Sequence, residues 1–201
     1  MTTIPTQRSG WPVLRTPRWM LAGAAVLVAG LVVAAIPHHP STAQRASDLR
    51  GFVKDVNTDI ESCAGGVTDS MTALRAIQAG TSHDVSTAVK IANDAAANCS
   101  PANSMPLDDL VQYQVTESLA SFHLQDTVND LVTWAFPLAQ RVELDIGNLD
   151  AASTQAARAR ATAALRKDQQ ALDTQRAKIY KAISTANTAL SAHVAPPPLP
   201  G

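Results

Sequence analysis

Apolar positions divide the chain into one unbroken hydrophobic run and several stretches of helical periodicity. The run covers residues 19–36, 18 positions without a charge, with Arg18 before it and Pro37 after it. At ~1.5 Å per residue a helix of that length spans about 27 Å, close to the ~30 Å hydrocarbon core of a bilayer. Nothing further along is comparably apolar, so the pattern predicts a single N-terminal transmembrane helix over residues 19–37. Apolar residues then recur three or four apart at Leu49, Phe52, Val56, Ile60, Cys63, Val67, Met71, Leu74 and Ile77. That is the spacing of one helix face.

Gly80, Thr81 and Ser82 mark a turn, with Ser82 as expected N-cap and Asp84 in the first turn of the next helix. That helix carries Val85, Val89, Ala92, Ala96 and Cys99. Cys63 and Cys99 are the only cysteines, and Thr81 stands 18 residues from each. Two helices folded back at this turn bring the sulfurs to one level, as a disulfide requires with Cα atoms ~4.4–6.8 Å apart. A closed loop of this size stabilises by roughly 3–4 kcal/mol. Gly65 and Gly66 interrupt the first arm, either breaking it or admitting a close neighbour.

Pro101 and Pro106 bound a crossover, and Ser104 is the expected cap of a long helical pattern from Leu107 to Ile146. Pro137 lies inside this pattern and should kink it. Gly147 and Asn148 read as the following turn, with Asp150 or Ser153 capping a last helix. Its apolar stripe repeats at seven residues through Leu165, Leu172, Ile179 and Ala186, joined by Ile183 and Leu190. Residues 195–201 are Pro-rich and read as an extended, disordered tail. No alternating strand pattern occurs. The expected fold is all-α: an antiparallel helical bundle of long helices over residues 38–194, following one transmembrane helix.

Charge refines this picture in two ways. Residues 104–150 hold eight acids against one arginine, while residues 151–201 hold seven Lys/Arg against two Asp. Adjacent segments of opposite sign should pack side by side, although exposed pairs contribute only ~0.2–1 kcal/mol each. The net charge is −1, and aromatic residues are not interleaved with the basic ones, so nucleic acid is an unlikely partner. Three arginines precede the hydrophobic run and three Lys/Arg follow it closely, which leaves a weak positive-inside bias. A disulfide needs an oxidising compartment. Orientation therefore rests on the cysteines: residues 1–18 in the cytoplasm, the helical domain outside. The alternative is secretion after signal cleavage near Ala43. Ala25, Ala29, Gly30 and Ala34 leave pairing of two anchors, and so a homo-oligomer, open.

Catalytic motifs are missing. No phosphate loop, HExxH or Gly-x-Ser-x-Gly occurs, and the three glutamates are not followed by histidine at di-iron spacing. No metal, cofactor or enzymatic activity is expected. The reading is a non-enzymatic protein-interaction or envelope-associated module with an unidentified protein partner, tethered by residues 19–36. Tyr113, Phe122, His123, Trp134 and Phe136 cluster around the Pro137 kink. They are the candidates for a pocket that takes a small apolar or anionic ligand; the plainer reading makes these rings core.

Overall fold

The computed structural model describes residues 39–81 and 84–200. The chain divides into Met1–His39 and Pro40–Gly201, and the hydrophobic run at 19–36 lies outside the described residues. Among the described residues no helix is long and apolar enough to cross a membrane. Every regular element there is helical, so the fold is all-α.

Helix α1, Thr42–Gln78, starts where Ser41 Oγ accepts from the Gln44 amide at 3.1 Å. Its periodic residues from Leu49 to Leu74 are buried. Gly80, at φ +69°, ends the helix. The Thr81 and Gly80 amides return to the carbonyls of Ala76 and Ile77, which satisfies the last turn. Helix α2, Val85–Asn98, is capped by Asp84, whose Oδ1 accepts from the Thr87 amide at 3.0 Å. Asp84 therefore takes the capping role expected of Ser82, which lies outside the described residues. Cys63 and Cys99 are bridged, with Cα atoms 4.7 Å apart.

Gly65 and Gly66 do not break α1. Gly66 faces Ala95, where a Cβ would fall 2.8 Å from the alanine Cβ and 3.0 Å from its Cα. Contacts 63 to 99 and 66 to 95 run in opposite senses, so α1 and α2 are antiparallel. The buried positions of α2 are all alanine: Ala88, Ala92, Ala95 and Ala96.

The long helical pattern from 107 to 146 is not one helix. It forms α3, Met105–Gln112, a 3-10 segment Glu117–Phe122, α4, Leu124–Thr133, a π-helical turn Trp134–Ala139, and α5, Gln140–Ala151. Between α3 and the 3-10 segment the Gln125 side chain replaces helical partners. Its Oε1 accepts from the Val115 amide at 3.0 Å and its Nε2 donates to Tyr113 O at 3.1 Å. The kink falls where expected: Phe136 is extended at φ −137°, ψ 117° ahead of Pro137. The expected turn at Gly147 and Asn148 is absent, because α5 runs through both to Ala151. Thr154, rather than Asp150 or Ser153, caps α6, Gln155–Leu190, by accepting from the Ala157 amide at 3.1 Å.

The heptad residues Leu165, Leu172, Ile179 and Ala186, with Ile183 and Leu190, are buried as expected. Helix α6 lies antiparallel to α4 and α5, with Asp130 beside Gln175 and Lys178, and Arg141 beside Asp168. Among the described residues only Lys178–Asp130, at 2.9 Å, has the charge sense the segment totals suggest. Arg141–Asp168, at 4.0 Å, is reversed. Residues 192–200 form no regular element but are packed rather than disordered. Leu199 is 4% exposed, and Tyr180 Oη donates to Pro197 O at 2.7 Å and accepts from the Leu199 amide at 3.2 Å.

The two glycines of α1 separate packing from propensity. Gly66→Ala forces a methyl group into the α2 backbone and should destabilise by ~1–3 kcal/mol, more than the helix gain of up to ~1 kcal/mol offsets. Gly65→Ala meets nothing within 4 Å and should stabilise. Denaturant unfolding under non-reducing conditions reads both, and equal shifts would contradict the close approach at Ala95.

Candidate functional site

The sequence candidates do not converge on one cavity. Trp134 is fully buried and is part of the core. Tyr113 packs edge-on against Phe52, with ring centroids 5.9 Å apart, and its hydroxyl donates to Asp55 Oδ2 at 3.2 Å. Burial and the neighbouring Asp55 push that phenol up to about 12. Phe122 lies under the Arg45 guanidinium, 4.9 Å from the ring centroid, an ordinary cation–π distance. His123 is exposed at φ 54° and joins the 3-10 segment to α4. Phe136 is 41% exposed at the kink. Trp134 lies in the core, Tyr113 and Phe122 are partly buried against it, and His123 and Phe136 are exposed.

A cavity of about 860 Å³ opens instead at the turn end of the α1–α2 hairpin, between the last turns of α1, the start of α2, the end of α5 and the first half of α6. Its origin follows from the local sequence. The disulfide and the Gly66–Ala95 contact draw α1 and α2 together at one end. Toward the turn α2 presents Val85, Ala88 and Val89, short side chains that leave space longer residues would fill. The floor is apolar, from Met71, Leu74 and Ile77 of α1, Ala88 of α2, Ile146 of α5 and Leu165 of α6.

The rim is charged and exposed. Arg158, Thr162 and Arg166 follow one another at four-residue spacing on α6 and so share a face. Arg75 stands on α1, and Asp150 and Asp173 supply the acids. Asp173 is already engaged by Arg176 at 2.9 Å. Among the described residues, Arg158 and Arg166 have no carboxylate within 4.0 Å. Gln169 is held by its Nε2 against Met71 Sδ at 3.3 Å. The arrangement combines an apolar floor with a guanidinium-rich mouth. Among the described residues no group of three or more His, Cys, Asp or Glu could hold a metal ion.

One turn before Ile146 lies Glu143, fully buried on α5. Neither carboxyl oxygen has a hydrogen-bond partner of good geometry. Burial pushes the group up to about 8, and the nearby Ser70 hydroxyl offsets only part of that. Ser70 Oγ itself donates to Gly66 O at 2.9 Å. A neutral acid is the form this site accepts at pH 7, since an unpaired buried carboxylate is far costlier. Sequence inspection gave Glu143 no role, because a single acid at an apolar helix position carries no motif. The cavity was equally hidden: Val85 and Val89 read as part of an apolar helix face and the basic residues of α6 as solvated. Comparison with family models, curated proteins and solved structures finds no match to this chain.

Glu143 makes stability depend on pH with a definite sign. The unfolded chain releases this proton near 4.5, whereas the folded state keeps it to about 8. Between those values the folded state binds the extra proton, so stability falls as pH rises, by at most ~1.4 kcal/mol per unit. Glu143→Gln preserves shape and removes the titration. Its melting temperature should fall less than that of the natural protein between pH 5.5 and 8.5, and should exceed it at pH 8.5. Identical pH profiles would place the dependence on other groups.

Proposed function

We propose that this chain is a non-enzymatic binding protein: an antiparallel helical bundle tethered outside the cytoplasm by residues 19–36, holding a small ligand in the cavity at its hairpin end. The observation that carries this reading is the cavity itself. Its volume of about 860 Å³ lies in the upper part of the ~300–1,000 Å³ range of ligand sites. A mostly apolar floor with a few polar groups at the mouth is also the usual composition of such sites. The Cys63–Cys99 pair supports an oxidising compartment, and the length of the apolar run supports retention at the membrane. A protein-docking role is the second reading, favoured by Met105 and Val111, 78% and 49% exposed on α3.

Thermal unfolding of the full chain in lipid nanodiscs, screened against a panel of small molecules, tests the proposal. At least one chemical class should raise the melting temperature. Ala88→Phe, which places a ring in the cavity, should abolish that rise. A flat response across the panel would remove the ligand-binding reading and leave the docking role of α3.

A further inference from the structure

We propose that the ligand is a single-chain anionic amphiphile, whose aliphatic chain lies on the cavity floor and whose oxyanion head meets Arg158 and Arg166 at the mouth; this rests on the ligand-binding reading above. The division of the lining carries the inference. Met71, Leu74, Ile77, Ala88, Ile146 and Leu165 offer carbon surface from four helices, with no aromatic ring for a flat ligand to stack on. That surface suits a flexible aliphatic chain better than a planar molecule. Arg158 and Arg166 are exposed on one face of α6 and lack ion pairs among the described residues, while Arg141, Arg176 and Lys178 each have one.

Charge complementarity sets the head. The mouth presents Arg158 and Arg166 against Asp150, since Arg176 already draws on Asp173. A neutral head gains nothing from this excess, and a cationic head is repelled by it. Guanidinium forks match carboxylate and phosphate oxygens alike. The shared chemistry is therefore an oxyanion on an aliphatic chain, from a fatty acid or a lysophospholipid. Thr162 lies between the two arginines, but its hydroxyl donates back to Arg158 O at 2.9 Å, so the arginines carry the recognition.

The test is isothermal titration calorimetry of the full chain in zwitterionic nanodiscs, with empty discs as reference. The probes are saturated fatty acids of 8 to 18 carbons, a lysophosphatidic acid, the alcohol and trimethylammonium analogues of the 14-carbon acid, and acetate and inorganic phosphate alone. Affinity should rise by up to about fourfold per added methylene until the floor is covered, the factor expected for burying one CH₂. The acid or the lysophosphatidic acid should bind at least about tenfold tighter than the alcohol, and whichever is tighter identifies the head. Acetate and phosphate alone should bind far more weakly. The double variant Arg158→Gln, Arg166→Gln alters exposed positions and should keep the natural melting temperature while losing about tenfold in affinity. Equal binding of acid and alcohol, or unchanged affinity in the double variant, overturns the headgroup assignment although the cavity still binds. If every amphiphile fails while another panel compound is stabilised through the cavity, this inference falls and the ligand-binding reading stands. If nothing binds, both fall.

Discussion

Cys63 and Cys99 hold the α1 and α2 backbones at a Cα separation of 4.7 Å. Helices packed through ordinary side chains keep their axes ~8–10 Å apart, so a covalent bridge between helix positions demands small residues beside it. The chain supplies them: Gly66 on α1 and Ala95 on α2 meet one turn away, and α2 buries only alanines. With the cysteines 36 positions apart, the loop-entropy estimate is about 4 kcal/mol. That is a large share of the ~5–15 kcal/mol that keeps a domain folded. Each alanine on α2 buries little apolar area, so the bridge carries a larger share of this pairing.

The same economy of side chains has a consequence at the opposite end of the hairpin. Beyond the close contact α2 offers only Val85, Ala88 and Val89 to the space between α1, α5 and α6, and these short side chains leave the cavity. Its walls stay in place because each neighbouring helix is fixed elsewhere. Helix α6 is held by its heptad residues, and its C-terminal end is wrapped by the tail through Tyr180 and through Asn187, which brackets Val194 with bonds of 3.1 Å. The N-terminal half of α1 is held by Arg45, which donates to Ser118 O at 2.9 Å and covers Phe122. Rigid support around an underfilled region is what distinguishes a binding cavity from a packing defect, since a soft region would collapse onto the void.

Much of this was legible from local signals. The symmetric cysteine spacing identified the hairpin, the seven-residue repeat identified α6 and its buried stripe, and Pro137 marked the kink. Features decided by distant residues were not legible. The break after α3 depends on Gln125 supplying two hydrogen bonds that a helix would have made internally. The missing turn at Gly147 reflects a helix that tolerates one glycine at a cost of up to ~1 kcal/mol, because Ile146 and Val142 beside it are buried. The ordered tail depends on the Tyr180 hydroxyl, whose partner carbonyl lies 17 residues away. The aromatic cluster shows the same dependence: residues near in sequence take different surroundings, from buried Trp134 to exposed Phe136, once the segment breaks into short helices. The cavity needed four helices to exist, and no window of the sequence contains four helices.

The account stands most directly on the covalent pairing at the base of the hairpin. Peptide mapping of the full chain, isolated with free thiols blocked during lysis and digested without reductant, reads that pairing. The predicted result is one linked pair of peptides carrying Cys63 and Cys99, with neither cysteine alkylated. Recovery of both cysteines as alkylated free thiols would contradict the hairpin clamp and, with it, the proposed location outside the cytoplasm.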